Sequence, residues 1–431
     1  MGFRFVVMSV LWLSAFFMLM DRVNISMAAP KIIEELHLSG IQMGLILSAF
    51  YWGYTFGNPL GGILADLWPM RRTTTLLLGG WCLLTALTGL CGSLLHFYLI
   101  RGFFGLMEGL SIPFLHKIQN HWLSPSERGK FYGVYEGFAR MGVGLGLTLT
   151  AWLIATLGWR AMFFLMGGLT ILVVILFYIF VRDYPREHPW MSDAEKELIH
   201  RSLERDRVTY DAASGQAKKL SFREGFGMLM GDMVFWGQCL IAFFVIALYF
   251  GNLAWLPGYL VKERGYTVLH SGIYLILPFM AGFAGAVVAG SLGDRLGRRS
   301  LVGMVCCFLA CPSMLGVLYA GSPFSVVLWM SLAIFFITGA INSNGVLLFD
   351  LQPPEAFGTA LGVLAGVGAG SAGLLAPVAI GYLLDLTGSF FWGFTILAFG
   401  ILLSGVIFIP ISFREKQVRE EKAARLALAI H

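Results

Sequence analysis

Seven ionisable side chains stand inside stretches of the chain that are otherwise apolar, and their spacing suggests chemistry. Asp21 and Arg22 are adjacent. Arg101 and Glu108 are seven residues apart, which on a helix is two turns: nearly the same face, about 10 Å apart along the axis. Glu136 and Arg140 are four apart and can pair directly. Each set combines an acid that can take a proton with a guanidinium that cannot lose one. Arginine binds a carboxylate with two parallel hydrogen bonds. A carboxyl group in a dry cavity holds its proton more tightly, while a neighbouring arginine loosens it. An arriving anion that neutralises the arginine therefore helps the acid take up a proton, which is the minimum for a proton-coupled anion site. The competing reading is a salt bridge that pins helices together, most natural for Glu136 and Arg140 because an i, i+4 pair satisfies itself. Lys117, near the end of its apolar stretch, can reach the surface along its own stem and is read as structural.

The surroundings make these charges expensive. Of 431 residues 57% are hydrophobic and only 13% charged, with 36 Phe and 12 Trp. A water-soluble domain carries roughly a quarter of its residues charged. Apolar runs near the ~20 residues that cross a bilayer as a helix recur from end to end. A soluble enzyme and a nucleic-acid binder are both excluded. At mid-membrane each charge costs at least ~2.5–3.5 kcal/mol, so an intramembrane ionisable group is a functional candidate by default. The six cysteines all lie in apolar runs, without a histidine beside them, and read as small buried hydrophobes rather than a metal site. No metal and no cofactor is expected.

Breaks at charges, prolines and turn clusters predict an all-α membrane protein of twelve helices, near 5–28, 41–64, 73–94, 98–120, 131–155, 161–181, 234–256, 270–291, 300–320, 324–348, 358–383 and 391–413. The expected organisation is a six-helix half over 1–181, a linker over 182–233, a second six-helix half over 234–413 and a tail over 414–431. Of the 30 lysines and arginines, 22 fall in the N-terminal stub, the linker, the tail and the alternate loops that share their side. By the positive-inside tendency both termini face the cytoplasm.

The halves repeat. Gly62, Leu64 and Asp66, followed by Arg71 and Arg72, recur 228 residues later as Gly290, Leu292 and Asp294, with Arg295, Arg298 and Arg299 following. Glycine allows close helix approach, and an aspartate at a helix end can pair with the basic cluster or with a neighbouring helix N-terminus. Such a latch suits a gate. The second copy matches the Gly-x-Leu-x-Asp-Arg-x-Gly-Arg-Arg loop signature of the major facilitator superfamily, which the chain resembles. The first copy has Leu67 in place of the basic residue and Pro69 in place of the glycine.

A narrower resemblance rests on Asp21-Arg22-Val-Asn24, Ala28-Ala29-Pro30, Arg101-Gly-x-x-Gly105-x-x-Glu108-Gly109 with Pro113 and Trp122, Glu127-Arg128-Gly129, the Tyr-Pro-Arg-Glu-His-Pro-Trp run at 184–190, and Trp255-Leu-Pro257-x-Tyr259. These look like the anion:cation symporter family, whose members include bacterial sugar-acid, hexuronate and phthalate permeases and animal sialin-type carriers. The resemblance implies that Asp21 and Glu108 are the protonated carboxylates. It implies that Arg22 and Arg101 hold the substrate carboxylate, and that Tyr54 is a pocket tyrosine. Arg140 stands as a third candidate anion contact. The second half offers Asn342 and Asn344 in its tenth helix and Tyr249 in its seventh, each open to a substrate role or to plain helix packing. Gly366, Gly368, Gly370 and Gly373 read as close-packing positions.

The expected protein is a monomeric proton symporter importing a small organic carboxylate by alternating access, in a bacterial inner membrane, its partners being the anion, protons and the lipid bilayer. An exchanger or facilitator keeps the anion site without net proton flux. A non-transporting nutrient sensor is disfavoured because the largest polar segment is short, and an integral-membrane enzyme because no nucleophile–base pair or phosphate loop is present. Where sugar-acid relatives carry Tyr, Trp and Asn, this chain offers Leu19, Gly345 and Ala365. That substitution favours less hydroxylated or aromatic acids over aldonates and uronates.

Overall fold

The computed structural model describes residues 2–214, 222–352 and 356–430, apart from some side chains within them. Six long helices fill the first half: α1 (Arg4–Leu36), α2 (Gly40–Leu67), α3 (Met70–Thr88), α4 (Leu94–Trp122), α5 (Pro125–Leu157) and α6 (Trp159–Phe180). A single 3-10 turn, α7 (Asp193–Ser214) and α8 (Phe222–Met230) occupy the polar segment between the halves. The second half holds α9 (Met233–Lys262), α10 (Val268–Leu296), α11 (Arg299–Tyr319), α12 (Pro323–Leu351), the pair α13 (Phe357–Val363) and α14 (Ser371–Thr387), and α15 (Phe391–Ile430). A π-helical stretch, Leu364–Gly370, joins α13 to α14, so the eleventh expected span is one helix with a wide turn inside it.

Among the described residues, twelve long helical stretches stand where twelve were expected, and ten of them are long and apolar enough to cross a bilayer. The remaining two are α2 and α3, which carry glycines, hydroxyls and the Arg71-Arg72 pair. Outward faces confirm the solvent: α6 exposes Ile171, Leu172 and Ile175 at 49–55%, an apolar surface that water would not tolerate. Two spans run furthest beyond their expected ends. The first continues through Pro30 to Leu36, because proline removes one backbone donor while Ala28, Ala29 and Ile32 stay buried around it. The last continues through Pro410 to Ile430. Helix starts are set locally: Ser39 accepts the Gln42 amide N–H at 3.2 Å and the Gln42 side chain accepts the Ser39 N–H at 2.8 Å, a reciprocal cap.

The chain divides into two compact units, Met1–Ala217 with Leu260–Ile273, and Lys218–Tyr259 with Tyr274–His431. Within the first, α2 lies along α4 and α1 along α5. The α2–α4 approach depends on missing side chains. A Cβ at Gly105 would strike the Phe50 carbonyl, and one at Gly57 the Leu106 carbonyl. Backbones this close bring the side chains of Phe50 and Tyr54 beside those of Arg101 and Glu108. All six cysteines are buried and unpaired.

Candidate functional site: a buried cluster of two acids and two arginines

The first unit gathers four of the candidate charges around α1 and α4. Asp21 and Glu108 are fully buried and Arg101 is 2% exposed, while the Arg22 side chain keeps 12%. Their pairing differs from the sequence expectation. Glu108 does not pair with Arg101, two turns away on its own helix; Arg22 of α1 donates Nη2 to Glu108 Oε1. The crossing of α1 and α4 brings these groups closer than two turns of one helix can. Arg101 instead donates to the Arg22 backbone carbonyl at 3.3 Å. Asp21 turns away from the arginine beside it in sequence and accepts from Thr170 Oγ1 of α6 at 3.0 Å.

Aromatic rings frame both guanidiniums. Arg22 lies 4.8 Å from the Phe50 centroid and 5.0 Å from that of Tyr54. Arg101 lies 4.6 Å from Phe104 and 5.7 Å from Phe50. Ring faces attract a cation without neutralising it, so the positive charge stays available to an anion. The cluster is also under-bonded: Arg22 Nε, Arg101 Nε, Glu108 Oε2, Asp21 Oδ1 and both amide atoms of Asn24 have no hydrogen-bond partner among the described residues. Two arginines beside only one direct acid contact, with bonding capacity to spare, can accept a carboxylate.

The remaining candidates fall elsewhere. Tyr54 belongs to the cluster. Arg140 is half-buried on α5 and is held in an interaction of its own; the Glu136 side chain lies outside the described residues. Tyr249, Asn342 and Asn344 belong to the second unit. Asn342 Nδ2 donates to the Ala286 carbonyl and Asn344 Nδ2 to that of Gln238, both at 3.1 Å, so each ties α12 to a neighbouring helix. Tyr249 is half-buried with its ring 5.8 Å from Phe250. Gly368 packs closely, a Cβ there meeting Ala242 and the Cys239 carbonyl.

The two loop motifs are built differently. In the first, Asp66 binds Lys117 of α4 at 2.8 Å, and the ammonium holds the Asp66 carboxyl below its usual range. Lys117 also donates to the Ala65 carbonyl at 2.7 Å, so it closes the loop as well as reaching the surface. Arg71 turns to the Tyr178 carbonyl at 2.7 Å and Arg72 is exposed. In the second, Arg299 bridges Asp294 at 2.9 Å and Asp350 at 2.8 Å, while Arg295 and Arg298 are exposed and Gly290 lies beside Asn342.

Sequence reasoning missed Phe50, Phe104 and Thr170. The two phenylalanines carry no signal among 36. Thr170 did carry one, as the only polar side chain in the run Leu165–Phe177 of α6.

The Major Facilitator Superfamily model matches residues 11–365 and 284–429. A probable sulfoacetate transporter of Cupriavidus necator is 30% identical over 400 residues, covering 90% of this chain and 89% of that one. A probable galactarate/D-glucarate transporter of Escherichia coli strain K12 is 30% identical over 391 residues, covering 86% of each. Among solved structures, a bacterial homolog of the human lysosomal transporter Spinster, inward-facing and unoccupied, superposes with a TM-score of 0.74 at 18% identity, over 96% of this chain and 97% of that one. With its repeated loop motif and its helices of bilayer length, the chain belongs to the major facilitator superfamily and is a multi-pass membrane transporter, not an enzyme.

Proposed function

We propose that the protein carries a small organic acid anion together with protons. The observation that supports this most is the Arg22–Glu108 contact with Arg101 beside it. A substrate carboxylate competes with Glu108 for the Arg22 guanidinium. Once displaced, Glu108 is a buried carboxylate without its counter-charge, and it is neutralised by taking a proton. Substrate and proton then bind together and leave together, and alternating access of the two halves converts that linkage into transport. The charge distribution of the loops supports cytoplasmic termini and insertion in a bacterial inner membrane, and the chain is read as a monomer.

Relatives named for sulfoacetate and for sugar acids bound the substrate class. Leu19 stands where sugar-acid relatives carry Tyr and offers no hydrogen-bonding group, and a buried substrate hydroxyl left without a partner costs ~1–3 kcal/mol. This favours acids with few hydroxyls. The test is uptake into vesicles of labelled sulfoacetate, galactarate and phthalate, with and without an imposed proton gradient. Gradient-driven accumulation is expected, with sulfoacetate or phthalate competing at least as well as galactarate. Uptake that never exceeds equilibrium would support a facilitator or exchanger, and a strong preference for galactarate would overturn the substrate reading.

A further inference from the structure

Asp21 differs from Glu108 in having no hydrogen bond to an arginine. Its partner is the Thr170 hydroxyl at 3.0 Å, and that same oxygen lies 2.9 Å from the Met166 carbonyl one turn back on α6. Asp21 and Thr170 are both fully buried. A threonine hydroxyl has one proton to give and two lone pairs to accept with, so it cannot donate to both neighbours at once. When Asp21 is ionised, the Thr170 proton points to Oδ2. When Asp21 is protonated, its own O–H donates to Thr170 Oγ1, and the threonine proton turns back to the Met166 carbonyl. Both protonation states are satisfied by one hydroxyl rotation, with no backbone movement.

We propose that Thr170 is a positioning residue for proton coupling, a reversible donor–acceptor that lets Asp21 gain and lose its proton inside a dry helix interface. This rests on the proton-coupled reading above. The surroundings offer little else to do the work. Facing Asp21 are Glu108 and Arg101 from α4 and the Cys82 thiol from α3, while Arg22 follows it on α1. Tyr51 and Tyr54 of α2 face the arginines. At this level α5 places Gly142 and Gly146 against Phe16 and Met20, and α6 contributes Met166, Thr170 and Val173. Among the described residues, Thr170 alone hydrogen-bonds the carboxylate.

The test uses the full chain reconstituted in vesicles, with sulfoacetate as the first transported probe. T170V keeps the shape and removes the hydroxyl, so the ionised form of Asp21 loses a donor to its charge while the protonated form loses only a weaker neutral acceptor. The pH at half-maximal proton-driven uptake is expected to rise by about one to two units, with counterflow exchange at acidic pH kept and T170S restoring the original profile. T170A serves as the second variant if T170V does not fold. Profiles of T170V or T170A that superimpose on a sloping wild-type profile would overturn the role of Thr170 alone. A wild-type profile that is flat with pH would overturn the proton-coupled reading, and this role with it.

Discussion

The two six-helix halves share a backbone plan and differ in what they bury. In the first, Gly57 abuts the Leu106 carbonyl and Gly109 the Tyr54 carbonyl; in the second, Gly285 abuts the Phe335 carbonyl, and Thr338 Oγ1 donates to the Gly282 carbonyl at 2.6 Å. These contacts match α4 to α12 with an offset of 229 residues, so Arg101 corresponds to Met330 and Glu108 to Ile337, both at most 1% exposed. The 228-residue offset of the loops, carried to α1 and α9, matches Asp21 with Tyr249, Arg22 with Phe250 and Asn24 with Asn252. One half thus concentrates the chargeable groups, and its twin fills the same places with apolar and aromatic side chains. Two charges share one site at lower cost than each alone, because each offsets the other's desolvation. A duplicated bundle that needs one anion site therefore gains nothing by charging both copies.

That comparison can be broken by exchanging residues between the halves. Glu108→Ile gives the first half the residue of the second and strands Arg22 in a buried site. Stability in detergent is expected to fall by about 3–5 kcal/mol, measured by chemical unfolding. The milder Glu108→Gln should fold but lose uphill accumulation while exchange persists. The reverse graft, Ile337→Glu, buries a carboxylate where no arginine waits and should cost about 2.5–3.5 kcal/mol. A stable Ile337→Glu protein would show that the second half tolerates charge and that the asymmetry has another origin. Next in size, Arg101→Lys keeps the charge but loses the planar fork that reaches the Arg22 carbonyl between aromatic rings. Binding of the transported acid should weaken about tenfold or more; unchanged affinity by calorimetry would assign Arg101 to structure.

The asparagines sharpen the comparison. Asn252 donates to the Leu248 carbonyl at 2.7 Å, whereas Asn24 has both amide atoms unpartnered. Asn252→Ala should cost about 1 kcal/mol of stability and little transport. Asn24→Ala should cost less stability and more transport, and the opposite ordering would place the working amide in the second half. At the loops, Glu415 accepts the Arg299 and Ser300 N–H groups at 2.7 and 3.1 Å, while Asp183 accepts the Arg71 N–H at 2.5 Å. Each caps the third helix of its half. Glu415→Ala should lower stability by about 1–2 kcal/mol and Asp183→Ala by less, read from the same unfolding curves.

The smallest effect concerns His188, fully buried beside Phe3, Trp122 and Trp190 at the foot of the first half. Burial, with Arg182 nearby, pushes its imidazole below the usual value. A histidine kept neutral in the fold contributes stability above its unfolded value of 6.5 and loses it as pH falls through the lower folded value. Thermal midpoints should decline as pH drops from about 6.5, and His188→Gln should flatten that decline.

Composition, span spacing and the loop repeat determined the solvent, the helix count and the family, because a bilayer admits few architectures and each writes its length and charge bias into the chain. The same cost of burying charge made Asp21, Arg22, Arg101 and Glu108 legible as candidate site residues, and the structure gathers them into one buried cluster. Their partners were not legible. Sequence spacing measures distance along one helix, and so linked Arg101 to Glu108; the approach of α1 to α4 linked Arg22 to Glu108 instead. Phe50 and Phe104 look like any of 36 phenylalanines until a guanidinium lies over them. Thr170 lies 149 residues from the carboxylate it hydrogen-bonds. Which groups must be buried follows from their types, whereas which groups meet is decided by helix crossing, because a hydrogen bond depends on separations of a few tenths of an ångström that no one-dimensional pattern records.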